Sequence, residues 1–270
     1  MASDNQRGIQ SIEVGGQLLR ALVHHGRPMA LKDLAREADM SAAKAHPYMV
    51  SFGRLGLIEQ DRSNGHYQLG PLALQLGLIS LQQANPVHVA TPLIAELAQE
   101  TGQTVAIAVW GARGATIVRI AESPSPVHVN MRHGTVFSLT STASGRLFGA
   151  YLDAALVKAQ IEEESRREKT RGASEPGMPP APAVPAWKDF EAQLQEVRRH
   201  GLSRSEGEII PGVNAMSAPV FDHTGAIALA LTAIGPAGIL DSSWDGPLAR
   251  ALKRCADEVS QRLGSTRLKP

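Results

Sequence analysis

LKDLAREADMSAAKAHPYMVSFGRLGLIEQDRSNGHYQLG, residues 31–70, is the stretch on which the fold turns. Leu31, Leu34, Ala35 and Ala38 form the apolar stripe of a short helix. Asp39 and Met40 read as a turn, and Ser41 as the N-cap of a second helix. That helix repeats apolar residues at Ala45, Tyr48, Met49 and Phe52, an i, i+3, i+4, i+7 set that buries one side. Ala42, Ala43, Lys44, His46, Pro47 and Ser51 remain on the open side. Gly56 stops the helix. Leu57-Ile58-Glu59 and His66-Tyr67-Gln68-Leu69 read as short strands joined through Arg62-Ser63-Asn64-Gly65, a strong turn signal. Helix, tight turn, helix and hairpin outline a winged helix-turn-helix, a device that lays one helix in a DNA major groove.

Candidate contacts follow from that outline. Ser41, Ala42 and Ala43 are small, so the backbone at the helix start can approach phosphates, and the helix dipole favours that contact. Lys44 and His46 have the reach for a phosphate or a base edge, and Ser51 shares their side. Arg62 and His66 stand at or beside the hairpin tip. A helix-helix-hairpin of this size also serves as a protein-docking module, and any one of these polar residues reads equally as plain surface. Upstream, Ile12, Leu19, Leu22 and Val23 give residues 9–24 a helical stripe, weakened by Gly15 and Gly16 and ended by His24-His25-Gly26 ahead of Pro28.

Downstream, Leu72, Leu74, Leu76, Leu78, Ile79 and Leu81 make residues 71–86 a linker helix, apolar on most of its surface. Such a helix must bury several faces, against a second subunit or in an internal core. Thr91-Pro92 then starts another helix, threonine as N-cap, with Leu93, Leu97 and Ala98 as its stripe. Thr104–Trp110, Ala115–Ala121 and Val127–Met131 read as strands. Residues 132–152 begin as a loop and continue from Thr142 as a helix opening on Ala143, Ser144 and Gly145, which serve either an anion or tight packing. The stretch 165–186, rich in proline and alanine, reads as a flexible insertion, and the mixed charges of 162–169 as a solvated face. Trp187, Phe190, Leu194 and Val197 give a helix ending at Gly201. Met216–Phe221 and Ala226–Ile234 pair as strands, and Leu248, Leu252, Cys255, Val259 and Leu263 make a last helix. The second domain, residues 87–264, is α+β with an antiparallel sheet.

Composition bounds the function. At 270 residues two domains are expected. Net charge is +1, so no overall basic field points to nucleic acid. The one cysteine, Cys255, leaves no intrachain disulfide and reads as a buried thiol. No apolar run is long enough to span a bilayer and the first residues are polar, so a cytoplasmic protein without a membrane partner is expected. Ser144 with His128 or His133 is the nearest approach to a nucleophile and its base, but no Gly-x-Ser-x-Gly elbow is present. No metal-ligand set forms. An enzyme, a metal site and a cofactor are therefore not expected.

The sequence resembles the IclR family of bacterial transcription regulators. The resemblance is carried by SIEVGGQLLRAL, by residues 31–70 with the Ala45-His46 pair, the Gly56-Leu57-Ile58-Glu59 step and the Tyr67-x-Leu69-Gly70 ending, by Ser141-Thr142-Ala143-Ser144-Gly145-Arg146, and by GEIIPGVNAMSAPVFDHTGAIALALTAIGP (207–236). It covers nearly all of 9–264 except the proline-rich insertion. Many members have arginine after the Ala-His pair, where this chain has Pro47, so that contact does not carry over. A proline there implies a kink in the helix or a start later than Ser41. The resemblance implies a DNA-binding repressor or activator that acts on double-stranded operator DNA. It also implies a linker helix at a dimer interface, a GAF-like effector-binding domain, and a homo-oligomer built as a dimer of dimers. The positions matching the family's effector pocket are Val129, Phe137, Ala143, Ser144, Ser205, Ala215, Thr232 and Ile234. Several are apolar here where acid-binding relatives are polar. The expected effector is thus a small organic or aromatic acid controlling a catabolic operon. A ligand-independent adaptor of the same fold is the alternative.

Overall fold

The computed structural model describes residues 8–123, 125, 129, 131–170 and 183–267. The chain divides between Ala84 and Asn85 into two units.

The first unit holds α1 (Gln10–His25), α2 (Leu31–Glu37), α3 (Ala42–Leu55), β1 (Ile58–Gln60), β2 (Tyr67–Leu69) and α4 (Pro71–Gln83). Between α2 and α3 the chain reverses at Asp39, which takes the left-handed conformation at φ 51°. The Met40 N–H closes the end of α2 on the Ala35 carbonyl at 2.9 Å. The Ser41 hydroxyl accepts from the Lys44 N–H at 3.3 Å and starts α3 where the sequence places its cap. α3 runs from Ala42 to Leu55 through Pro47. Its regular part therefore begins at the Ser41 cap and not later. At the other end Gly56 adopts φ 76°, and the Leu57 N–H bonds the Phe52 carbonyl at 3.0 Å.

β1 and β2 pair antiparallel with Ile58 opposite Leu69. Met29 adds a further rung, exchanging backbone hydrogen bonds with Tyr67 at 3.0 and 2.8 Å. Leu18, Leu22, Leu34, Met49 and Ile58 fill the core. The stripe of α1 differs from the sequence reading. Leu18, Ala21 and Leu22 are buried, whereas Ile12 and Val23 are exposed. Gly15 supplies the reason. A Cβ there would stand 2.8 Å from the Tyr48 ring and 3.0 Å from that of Phe52, so α1 and α3 approach along the glycine side of α1. α4 begins with Pro71 at its first turn and buries no residue within the chain. Leu74, Leu76, Leu78, Ile79 and Leu81 are all exposed.

The second unit runs α5 (Pro86–Thr101), β3 (Thr104–Gly111), β4 (Gly114–Ala121), β5 (Val136–Phe137), α6 (Ala143–Tyr151), α7 (Ala154–Thr170), α8 (Trp187–His200), β6 (Ser203–Glu206), β7 (Val213–Phe221), β8 (Ile227–Pro236) and α9 (Pro247–Arg262). Its strands form one antiparallel sheet in the order β5-β4-β3-β8-β7-β6. Alternation along the strands divides the sheet into two faces. Val105, Ile107, Met216, Ala218, Leu231 and Ala233 pack against α5 and α9 in the larger core. Ala108, Ala115 and Ala230 face α6, α7 and α8 through Leu147, Phe148, Val157, Phe190 and Leu194.

Three local expectations are corrected. α5 starts at Asn85-Pro86 rather than at Thr91-Pro92. The Asn85 side chain accepts from the His88 N–H at 3.1 Å, and Pro92 lies inside the helix. Residues 165–170 continue α7 and are not part of a flexible loop; 171–182 lie outside the described residues. Of the expected strand Val127–Met131, Val129 and Met131 are described and neither is in a strand; Val127, His128 and Asn130 lie outside the described residues. No helix is long and apolar enough to cross a membrane among the described residues.

Candidate functional site

In the first unit the exposed side of α3 carries Ala42, Ala43, Lys44, His46, Pro47 and Ser51, while Ala45 and Met49 are buried beneath it. Two of the hydroxyls there are occupied. Ser41 caps Lys44, and the Ser51 hydroxyl donates to the Pro47 carbonyl at 3.0 Å. Pro47 takes a place on the solvent side, so its ring adds no bulk to the core. A groove lined by Lys32, Arg36, Asp39, Met40, Ser41 and Ala42 opens beside the start of α3. Lys32 and Arg36 of α2 thus stand beside the start of α3, although Arg36 already pairs with Asp33 at 2.8 Å. The sequence reading passed over both because a charge beside an apolar stripe is the ordinary pattern of any exposed helix.

The wing tip is built by Asp61. Its carboxylate accepts from the Ser63 hydroxyl at 2.6 Å, from the Ser63 N–H at 2.7 Å and from the Asn64 amide at 2.9 Å. These bonds, the Ser63 hydroxyl first, hold the Asp61 carboxyl below its ordinary value. Gly65 turns the chain at φ 72°, and the His66 N–H reaches the Asn64 side chain at 2.8 Å. Arg62 is fully at the surface and His66 half-buried. Arg62, His66 and the exposed residues of α3 therefore all lie at the surface of this unit.

In the second unit one cavity of about 310 Å³ opens on the sheet face beneath α6. Val129, Phe137, Ala143, Ser144, Ser205, Ala215, Thr232 and Ile234 all line it, together with Met131, Arg132, Thr135, Thr142, Ile209, Ile210 and Val213. Its floor is set by strand register. Thr104, Ile234, Ala215 and Ser205 form one cross-strand row, and Ala106, Thr232, Ser217 and Ser203 the next. Small side chains in these rows leave the space, because larger ones would meet α6. The second row also carries a chain of hydroxyls. Thr232 lies 2.9 Å from the Ser144 hydroxyl and 2.7 Å from that of Ser217. Ser203 ends the row fully buried, and its hydroxyl has no partner among the described residues.

α6 reaches this position through an unusually close approach. A Cβ on Gly145 would stand 2.1 Å from the Ser138 carbonyl oxygen and 2.7 Å from Leu139 Cα, so only glycine fits. The Thr142 hydroxyl caps the helix by accepting from the Gly145 N–H at 2.8 Å. The strand end before it is held from α7. Glu164 accepts from the Leu139 N–H at 2.7 Å and the Ser138 hydroxyl at 2.9 Å. The charged run 162–169 is therefore not wholly a solvated face. On the far side Arg146, buried in α6, donates to Glu208 at 2.6 and 3.2 Å and to the Arg204 and Thr140 carbonyls. Glu208 precedes Ile209 and Ile210, so this ion pair holds the segment that walls one side of the cavity.

Catalytic alternatives find little here. The Ser144 hydroxyl is engaged with Thr232, and His128 lies outside the described residues. Burial, and then Glu258, push the Cys255 thiol up to about 12, which keeps it protonated and a poor nucleophile. Among the described residues no group of three or more His, Cys, Asp or Glu side chains is placed to hold a metal ion.

Comparison with known proteins agrees with this architecture. Residues 11–62 match the model of the IclR helix-turn-helix domain, and residues 79–261 that of the bacterial transcriptional regulator IclR C-terminal domain. The glycerol operon regulatory protein of Streptomyces coelicolor is 27% identical over 266 residues, covering 97% of this chain and 99% of the relative. The transcriptional repressor IclR of Escherichia coli is 22% identical, over 96% of this chain and 92% of its own. The crystal structure of Pseudomonas aeruginosa HmgR is similar at a TM-score of 0.84 and 33% identity, covering 96% of this chain and all of that one. Two domain models in the expected order, and relatives matched along their whole length, establish that the chain belongs to the IclR family of DNA-binding transcription regulators and not to a family of enzymes.

Proposed function

We propose that this regulator acts in the cytoplasm as a homo-oligomer, a dimer or a dimer of dimers. On this reading α3 enters the major groove of a roughly palindromic operator. Ser41, Ala42, Ala43, Lys44, His46 and Ser51 meet phosphates and base edges, while Arg62 and His66 of the wing touch the flanking backbone. A small organic acid with an apolar or aromatic body occupies the cavity under α6 and shifts the balance between two arrangements of the paired DNA-binding units. It does so only by binding one arrangement better than the other. The regulated genes form a catabolic operon.

The observation that carries the effector reading is the cavity. Eight scattered positions, from Val129 to Ile234, line one space of about 310 Å³, a size suited to a small molecule. Its lining is mostly apolar, with hydroxyls at Ser144, Ser205 and Thr232 to orient a ligand. The names of the relatives, a glycerol operon regulator and an acetate operon repressor, support control of carbon-source genes. The unpartnered leucines of α4 support self-association, since a helix exposing Leu74, Leu76 and Leu78 leaves apolar surface in water.

A gel-shift titration on DNA upstream of the chain's own gene, at several salt concentrations and with a panel of small acids, tests the reading. A salt-sensitive, sequence-preferring complex whose midpoint moves with one acid is the expected result. A complex that no small acid shifts would instead favour the ligand-independent adaptor.

A further inference from the structure

Two arginines approach the cavity, and their states differ. Arg146 is spent within the protein. Its guanidinium is neutralised by Glu208 and further bonded to two carbonyls. Arg132 lines the cavity itself, and it is the one charged side chain among the described residues that do so. Its guanidinium makes no hydrogen bond or ion pair among the described residues. Its backbone, in contrast, is fixed. The Arg132 carbonyl accepts from the Thr135 N–H at 3.2 Å and from its hydroxyl at 2.7 Å. Gly134 and Thr135 tie the same turn to Ile117 of β4 at 2.8 and 2.9 Å. A pinned turn thus presents a cation, without a partner among the described residues, at the exposed rim of an apolar space.

A guanidinium recognises carboxylates through two parallel hydrogen bonds and stays charged at any physiological pH. We propose that Arg132 is the anchor and specificity residue for the effector's carboxylate, and that the cavity selects monocarboxylates. This rests on the effector reading above and deepens it. The carboxylate lies at the rim on Arg132, and the apolar body lies inward between Phe137, Ile209, Ile210 and Ile234. A polar substituent, where the ligand has one, meets the hydroxyl of Ser144. The chain Ser144–Thr232–Ser217 can run in either direction, so Ser144 offers a donor or an acceptor as the ligand requires. A second carboxylate on the inward part of the ligand has no free cation there among the described residues. A dicarboxylate would therefore bury an unpaired charge.

Isothermal titration of the full chain tests this with benzoate, phenylacetate and 4-methylpentanoate, each beside its primary amide, and with terephthalate, whose second carboxylate would point inward. At least one monocarboxylate is expected to bind, about tenfold or more tighter than its amide and than the dicarboxylate. R132Q should lose that preference, binding acid and amide alike, and R132K should keep part of it. Arg132 is exposed, so the melting temperature of the free variant should not change. Amides binding as well as acids, or R132Q retaining full acid affinity, overturns the anchor and leaves the effector reading in place. If none of the acids or amides binds the unaltered protein, the acid-effector reading falls and the anchor falls with it.

Discussion

Thr232 stands between two buried hydroxyls, and its own oxygen is the link between them. Valine keeps the shape and removes the link, leaving the fully buried Ser217 hydroxyl short of a partner. Thr232→Val should therefore lower stability by about 1–3 kcal/mol in urea denaturation; an unchanged midpoint would mean that these hydroxyls find other partners. Asp61 works differently because it is at the surface. Its folded pKa is depressed by the Ser63 and Asn64 donors, so its contribution to the wing turn is fully present above the ordinary carboxylate range. That contribution is lost as pH falls through the depressed folded value. Amide exchange at residues 62–66 should accelerate across that acid window relative to the rest of the wing, and Asp61→Ala should show the faster exchange already at neutral pH. Lys44 is exposed on the open side of α3. Lys44→Ala should weaken operator binding and reduce the slope of log affinity against log salt by about one, with oligomer size unchanged. Dissociation of the oligomer would place Lys44 in a subunit contact instead.

Capping chemistry made most elements readable from the sequence. Ser41, Gly56, Gly102 and Gly201 each end or begin a helix as their residue types suggest, three of them in the left-handed region. The errors arose where two signals competed or where a signal was short. Asn85-Pro86 and Thr91-Pro92 both resemble a helix start, and only the three-dimensional context selects the first. The Thr91 hydroxyl then bonds back to the Val87 carbonyl at 2.7 Å, within a helix already under way. β5 has two residues and β6 four, too few for alternation to register. Pro47 is the element-level question the sequence raised, and α3 accommodates it with the helix start unchanged. The residue still removes one backbone donor. Pro47→Ala should raise stability by up to about 3 kcal/mol, and thermal melts of the two forms decide it. A lower midpoint would show that the proline ring contributes more than the missing N–H costs.

At the scale of the whole chain, two units and an α+β architecture were legible from periodicity, but the cavity was not. Its eight anticipated positions came by resemblance, since nothing in local sequence marks Ala215 or Ser205 as neighbours of Ser144. Strand register creates that neighbourhood, and register is a long-range property. Arg132, Ile209 and Ile210 escaped notice because they sit in loops with no periodic signal. The leucines of α4 carry the prediction that belongs here. Leu78→Glu places a charge on a surface that the proposed oligomer buries, so light scattering after size exclusion should report a smaller assembly. An unchanged mass would assign α4 to solvent or to another partner.

The order of the sheet has a mechanical consequence. Phe137 lies in β5 and Ser205 in β6, the two outermost strands, with four strands between them. Only a sheet curled like a cupped hand brings both margins to one small space. A molecule held there would act as a clasp between thumb and little finger. It would fix the curl of the hand while leaving the palm, whose hydrogen-bonded rungs are already complete, much as it was. Binding energy would then be spent at the margins, where the chain turns toward the solvent and where a change of curvature moves the most atoms.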